Sequence, residues 1–199
     1  MTTTQLTQAA GTDQTETARV TLDHSGSLLA RILKAYSRRQ FGLEAEPMLA
    51  LLHQRKVLTA VSRFGMASQK WSRLESGLKE LASLSVASQI GCSWCMDFGY
   101  YLSRTHGMPI EKLEQVSRWR ESEVYTPLER KVLEYAEAMT ATPPTVTDEM
   151  VEALRSDLDD AQLVELTATI SAENLFSRTN SALGLTSQGF KNQCDLTPR

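Results

Sequence analysis

The chain has 199 residues, 41% apolar and 23% charged, which suits one globular domain with a real core. A net charge of −3 gives no general attraction to nucleic acid or anionic membranes. No apolar run approaches the roughly 20 residues needed to cross a bilayer, and the Thr- and Gln-rich start lacks the pattern of a signal peptide. The sequence therefore predicts a cytoplasmic protein with no nucleic-acid or membrane partner. Three cysteines are too few, and odd in number, for a secreted disulfide framework.

Residues 1–26 are polar, have little to bury, and read as a disordered N-terminal arm. A helical pattern starts at Ser27. Leu28, Leu29, Ile32, Leu33 and Tyr36 recur at spacings of three and four, which predicts one buried face ending at Gly42. Arg31, Lys34, Arg38 and Arg39 on the same stretch read as its solvated side. Pro47 opens a second segment through Phe64, and a third runs from Ser76 to Ile90 with Leu78, Leu81, Leu84, Ala87 and Ile90 on one stripe. Gly91 interrupts the pattern. A fourth helix is expected from about Cys92 to before Gly107, then a short one from Pro109 to Trp119.

Later helix starts carry clearer signals. Thr126-Pro127-Leu128-Glu129 combines a capping box with proline at the first helical position, and Asp159-Asp160-Ala161-Gln162 opens a long stretch to Leu183 and Gly184. Between them, the turn-rich residues 140–144 precede a short helix near Thr147. Neither alternation nor a hairpin signal supports strands. One all-α domain over 27–186 is expected, followed by a polar tail over 187–199.

The chemistry-bearing motif is Cys92-Ser93-Trp94-Cys95. At positions i and i+3 of a helix start, both sulfurs face one side, and the free N–H groups and dipole favour thiolate. One thiol can then resolve a sulfenic acid or mixed disulfide formed on the other. Incidental core cysteines or half of a metal site are the alternatives. Zinc wants about four ligands, and no second Cys-x-x-Cys or close histidine pair is present, so no metal or cofactor is expected. His106 lies about 16 Å beyond Cys95 along a continuous helix and cannot complete such a site within it.

Glu80, twelve residues before Cys92, together with Gly91-Cys92-Ser93-Trp94-Cys95-Met96-Asp97, resembles the active-site segment of alkylhydroperoxidase D-like members of the carboxymuconolactone decarboxylase family. The resemblance extends to Arg38-Arg39-Gln40-Phe41-Gly42, Pro47 and His53, and to Pro127-Leu128-Glu129-Arg130 and Val164-Glu165-Leu166. It also takes in Asn174-Leu175-Phe176-Ser177-Arg178, so that it spans residues 27–186. It implies a compact multi-helix subunit with the Cys-x-x-Cys at a helix N-terminus, assembled as a homo-oligomer. It further implies a peroxidase or thiol-disulfide oxidoreductase with Cys95 peroxidatic, Cys92 resolving and Glu80 handling protons, an unidentified thiol serving as reductant. The substrate would be a hydroperoxide or another small molecule.

The chain departs from that pattern at one place. The family histidine stands four residues after the second cysteine, where this chain has Gly99, and some peroxidases carry a second histidine at the place of Trp94. Glycine offers no proton, which predicts weak peroxide turnover that Gly99→His would raise. Asp97 reads either as a supporting carboxylate or as an exposed first-turn acid complementing the helix dipole. The alternative from another class is a non-redox ligand-binding or lyase-like relative with cysteines as pocket lining. His53 and His106 read as structural or exposed, Asn174 and Arg178 as a bridge between helices, and Cys194 as a bystander in the tail.

Overall fold

The structure, a computed structural model, describes residues 18–194. Among these, nine α-helices follow in order: α1 (Leu28–Phe41), α2 (Glu46–Leu51), α3 (Arg55–Ser68), α4 (Ser76–Ile90), α5 (Ser93–Thr105), α6 (Ile110–Gln115), α7 (Pro127–Thr140), α8 (Asp148–Arg155) and α9 (Asp160–Ala182). A 3-10 turn over Val116–Glu121 follows α6, and a second, Phe190–Cys194, is the last described element. The all-helical class expected from periodicity is what forms, and no described helix is long and apolar enough to cross a membrane.

Local signals set most boundaries. Both capping boxes form: Thr126 and Glu129 exchange side-chain and backbone bonds at α7, and Asp159 and Gln162 do so at α9. Thr147 caps α8 by accepting from the Met150 N–H. The centre of the domain is the packing of α4 against α7 and α9. Leu78, Ala82, Val86, Val132, Ala136, Leu154, Leu166 and Ile170 are buried together there. At its edge the Lys79 ammonium donates to the buried Glu165 carboxylate at 2.8 Å. Burial alone would raise that carboxyl's pKa, but bonds from Lys79 and from the Arg73 and Leu74 backbone outweigh it and lower the pKa.

Two expectations change. The segment opened by Pro47 is not one helix: α2 stops at Leu51, and α3 restarts at Arg55 behind Gln54, whose side chain accepts from the Lys56 N–H. In α1, Leu28, Ile32 and Tyr36 are exposed, at 67%, 55% and 51%. That helix buries Ala30 and Ser37 instead, with Leu29 and Leu33 half-buried. Ser37 is drawn inward because its hydroxyl donates to the Leu43 carbonyl and accepts from the Ala45 N–H, turning the apolar stripe of α1 away from the core.

The two terminal segments also depart from the sequence reading. Residues 1–17 of the expected arm lie outside the described residues, but 18–24 run along the domain. The Arg19 N–H donates to the Leu183 carbonyl at 2.8 Å, His53 bonds the Thr21 carbonyl and His24 the Leu49 carbonyl. The expected tail does not begin at 187: residues 187–194 fold back on α5, with Phe190 fully buried. Both segments are held by partners far along the chain, which their own composition does not reveal.

Candidate functional site

The dithiol sits where α4 hands over to α5. Gly91, at φ +77°, takes the left-handed conformation that ends α4, and the Cys92 N–H closes back on the Ala87 carbonyl at 3.0 Å. Cys92 is then the N-cap of α5: its sulfur accepts the Cys95 N–H at 3.2 Å. Cys92 and Cys95 form a disulfide with Cα atoms 5.3 Å apart. Both are buried, Cys92 at 1% and Cys95 at 8%. Cys194 lies outside this disulfide and is part-buried.

The surroundings are aromatic on one side. Trp94 stacks on Phe98 with centroids 4.9 Å apart, and both rings meet Phe190 edge-on. Trp94 is also tied by a polar bond, its indole N–H donating to the Gln188 side-chain carbonyl at 2.6 Å. Gln188 reaches further, donating to the Glu44 carbonyl and accepting from the Glu46 N–H. One glutamine thus links the motif to the turn before α2. Burial raises the pKa of Glu46 there.

Asp97 is neither exposed nor bonded to a sulfur. It is 4% exposed, and its carboxylate accepts four backbone N–H groups, those of Gln188, Gly189 and Phe190 on Oδ2 and of Lys191 on Oδ1, at 2.7–3.0 Å. Gly189 at φ +81° lets consecutive N–H groups converge on one anion. Asp97 therefore fastens the C-terminal strap across the site.

Glu80, on α4, accepts from His106 Nδ1 at 2.6 Å and is not hydrogen-bonded to either cysteine. His106 is mostly exposed, yet it has this partner, supplied from a different helix 26 residues away. One turn along α4, Leu84 fills the place beside Gly99. A Cβ on Gly99 would lie 2.9 Å from Leu84 Cδ2. A side chain at position 99 thus meets close packing, since Leu84 is itself 2% exposed.

Two further polar residues of α9 carry no signal in the motif's spacing. Asn180, buried in the last turn of α9, donates from Nδ2 to Cys95 Sγ at 3.4 Å. Glu173, two turns earlier on the same helix, accepts from the Ser177 hydroxyl at 2.5 Å, and burial pushes its pKa up to about 7. Helical spacing places 173, 177 and 180 on one face, and a polar residue at each third or fourth position was the available hint. Asn174 and Arg178 do bridge helices: both reach Thr140 at the end of α7.

A family model for the carboxymuconolactone decarboxylase family matches residues 55–138, which contain the dithiol. The uncharacterized Escherichia coli protein YnjA is 35% identical over 153 residues, 76% of this chain and 84% of its own length. The chain belongs to the carboxymuconolactone decarboxylase family. Among solved structures, an Agrobacterium tumefaciens protein of unknown function, described as a candidate antioxidant defence protein AhpD, is similar with a TM-score of 0.65 and 28% identity. That match covers 69% of this chain and 94% of the other. The debrominase Bmp8, as a cysteine-to-alanine variant in complex with 2,3,4-tribromopyrrole, shares the fold with a TM-score of 0.74 at 15% identity. It covers 92% of this chain and 96% of its own.

Proposed function

We propose that the protein is a thiol-disulfide oxidoreductase that cycles Cys92 and Cys95, with a hydroperoxide as its oxidising substrate. The observation that carries this reading is the Cys92–Cys95 disulfide at the N-terminus of α5, inside the segment shared with the family. Cys95, the more exposed residue of the pair, attacks the terminal hydroperoxide oxygen as thiolate. The O–O bond breaks, the alkoxide takes a proton to leave as alcohol, and Cys95 becomes a sulfenic acid. The Cys92 thiolate then attacks that sulfur and expels hydroxide, which leaves as water once protonated. The disulfide formed is returned to two thiols by an external dithiol that supplies two electrons and two protons. Glu80, coupled to His106, is assigned to proton handling beside the site, Trp94 to its aromatic wall, and assembly into homo-oligomers belongs to the same proposal.

The experiment is a single-turnover titration of the reduced full-length protein with a hydroperoxide. One equivalent is consumed per dithiol, and mass mapping finds Cys92–Cys95 bridged with Cys194 outside the bridge. Cys95→Ser abolishes consumption, while Cys92→Ser accumulates one sulfenic acid on Cys95. Accumulation on Cys92 in Cys95→Ser would exchange the roles. A pair that consumes nothing would return the cysteines to lining a non-redox binding pocket.

Gly99 in the family histidine's place and the rings of Trp94, Phe98 and Phe190 favour a second reading, in which the oxidant is a halogenated aromatic. Two thiolates and one proton would then convert carbon–halogen to carbon–hydrogen, releasing halide and forming the disulfide. Halide release from 2,3,4-tribromopyrrole by the reduced protein, with hydroperoxide untouched, decides for it.

A further inference from the structure

We infer that Asn180 is a catalytic residue: its side-chain amide holds Cys95, rather than Cys92, as the thiolate that meets the oxidising substrate. The inference rests on the reading of Cys92 and Cys95 as a working dithiol.

The two sulfurs have different donors. The start of α5 serves Cys92, because the N–H aimed from the first turn, that of Cys95, points at Cys92 Sγ at 3.2 Å. By helix-terminus chemistry alone the first cysteine would be the better thiolate. Cys95 sits inside the first turn and receives its donor from another helix, the Asn180 amide at 3.4 Å. A sulfur acceptor permits that length, and a thiolate accepts far more strongly than a disulfide sulfur, so the bond strengthens when the pair is reduced.

Asn180 is built in rather than adventitious. It is 6% exposed, and its main-chain carbonyl accepts the Leu185 N–H at 3.0 Å, which fixes the last turn of α9. Charged groups on the neighbouring elements are engaged elsewhere. Asp97 holds the 188–191 backbone, Glu173 bonds Ser177, and Glu80 bonds His106. Arg19 donates to the Ala182 carbonyl, and Glu44 pairs with Lys34 and Arg38. Neither Glu46 nor Lys191 is hydrogen-bonded to a sulfur. A neutral amide also suits a buried site better than a lysine would, since it stabilises the thiolate without burying a second charge.

The test uses full-length protein carrying one site thiol at a time. In a Cys92→Ser, Cys194→Ser background, the ultraviolet absorbance of the Cys95 thiolate is titrated against pH with and without Asn180→Leu. Loss of a hydrogen bond to a charged group moves the midpoint up by about one to two pH units, a ten- to hundredfold smaller thiolate fraction near neutrality. Asn180→Asp keeps the shape, removes the donor when ionised, and moves the midpoint at least as far, which covers the case that the leucine variant does not fold. In the mirror background, Cys95→Ser with Cys194→Ser, Asn180→Leu leaves the Cys92 midpoint where it was. A Cys95 midpoint unmoved by the folded variants, or equal shifts at both cysteines, overturns the inference. The wild-type chain separates this from the underlying reading. If the dithiol consumes one oxidant equivalent while Asn180 variants keep the midpoint, only the role of Asn180 falls; if the wild-type pair consumes none, the oxidoreductase reading falls.

Discussion

The core between α4, α7 and α9 and the shell around the dithiol are held together by different physics. In the core, Leu78, Val86, Val132, Leu166 and Ile170 meet through apolar contact from helices whose faces are set by their own spacing. The shell also has buried apolar groups, Cys92, Trp94 and Phe190 among them, but it is fastened by directional polar bonds that join distant parts of the chain. Asp97 gathers residues 188–191, Gln188 ties Trp94 to the turn before α2, and Asn180 reaches Cys95. Non-directional burial tolerates small shifts in where a side chain lies, whereas each polar link works at one distance and angle. A redox site that must present one sulfur and shield the other gains from the second kind of fastening.

The contrast is tested first by a pair of truncations. Leu166→Ala in the core costs about 2–5 kcal/mol through lost contact and the cavity left behind. It lowers the urea midpoint of the whole domain. Asp97→Ala costs less, about 1–3 kcal/mol, because the freed N–H groups of the strap can turn to water. Its effect is local: limited proteolysis cuts within 187–194 and, in the reduced protein, both cysteines react faster with alkylating agents, while helix content holds. Global unfolding by Asp97→Ala as severe as that of Leu166→Ala would erase the distinction between the regions.

Gly99→His examines the boundary between them. An imidazole there must displace Leu84, and overpacking of this kind costs about 1–3 kcal/mol, only partly offset by replacing glycine within a helix. The single variant is therefore less stable with no gain in peroxide turnover. Gly99→His with Leu84→Ala recovers stability, and a gain in turnover in that double variant would restore the missing-histidine account. A single variant as stable as wild type would show that Leu84 yields freely.

The smallest expected effect is the pH response of Glu173. The folded chain keeps its proton up to about pH 7, whereas the ordinary value for the carboxyl is 4.5. Folding therefore loses stability as pH rises between those values, and the penalty is complete above the upper one. Glu173→Gln matches wild type at low pH and exceeds it at pH 8, read from urea midpoints at several pH values. Equal midpoints throughout would mean that the carboxyl ionises freely in the folded protein.

Periodicity and capping signals in the sequence by themselves determined the helices from α4 onward, and the placement of Cys92 and Cys95 at the start of α5. Those are local properties, settled by side chains three or four positions apart and by caps within one turn. The split between α2 and α3 is also local, but its capping residue, Gln54, falls outside the usual Ser, Thr, Asp and Asn set and gave no clear start signal. Only the tertiary structure decided that the stripe of Leu28, Ile32 and Tyr36 faces outward, that residues 18–24 and 187–194 pack along the domain, and that Glu80 bonds His106. It likewise decided that Asp97 holds the strap, that Leu84 fills the space beside Gly99, and that Asn180 reaches Cys95. In most of these cases the partner comes from a distant part of the chain, as with Cys95 and Asn180, which are 85 positions apart. Their meeting depends on how α4, α5 and α9 pack, which no short window of residues encodes.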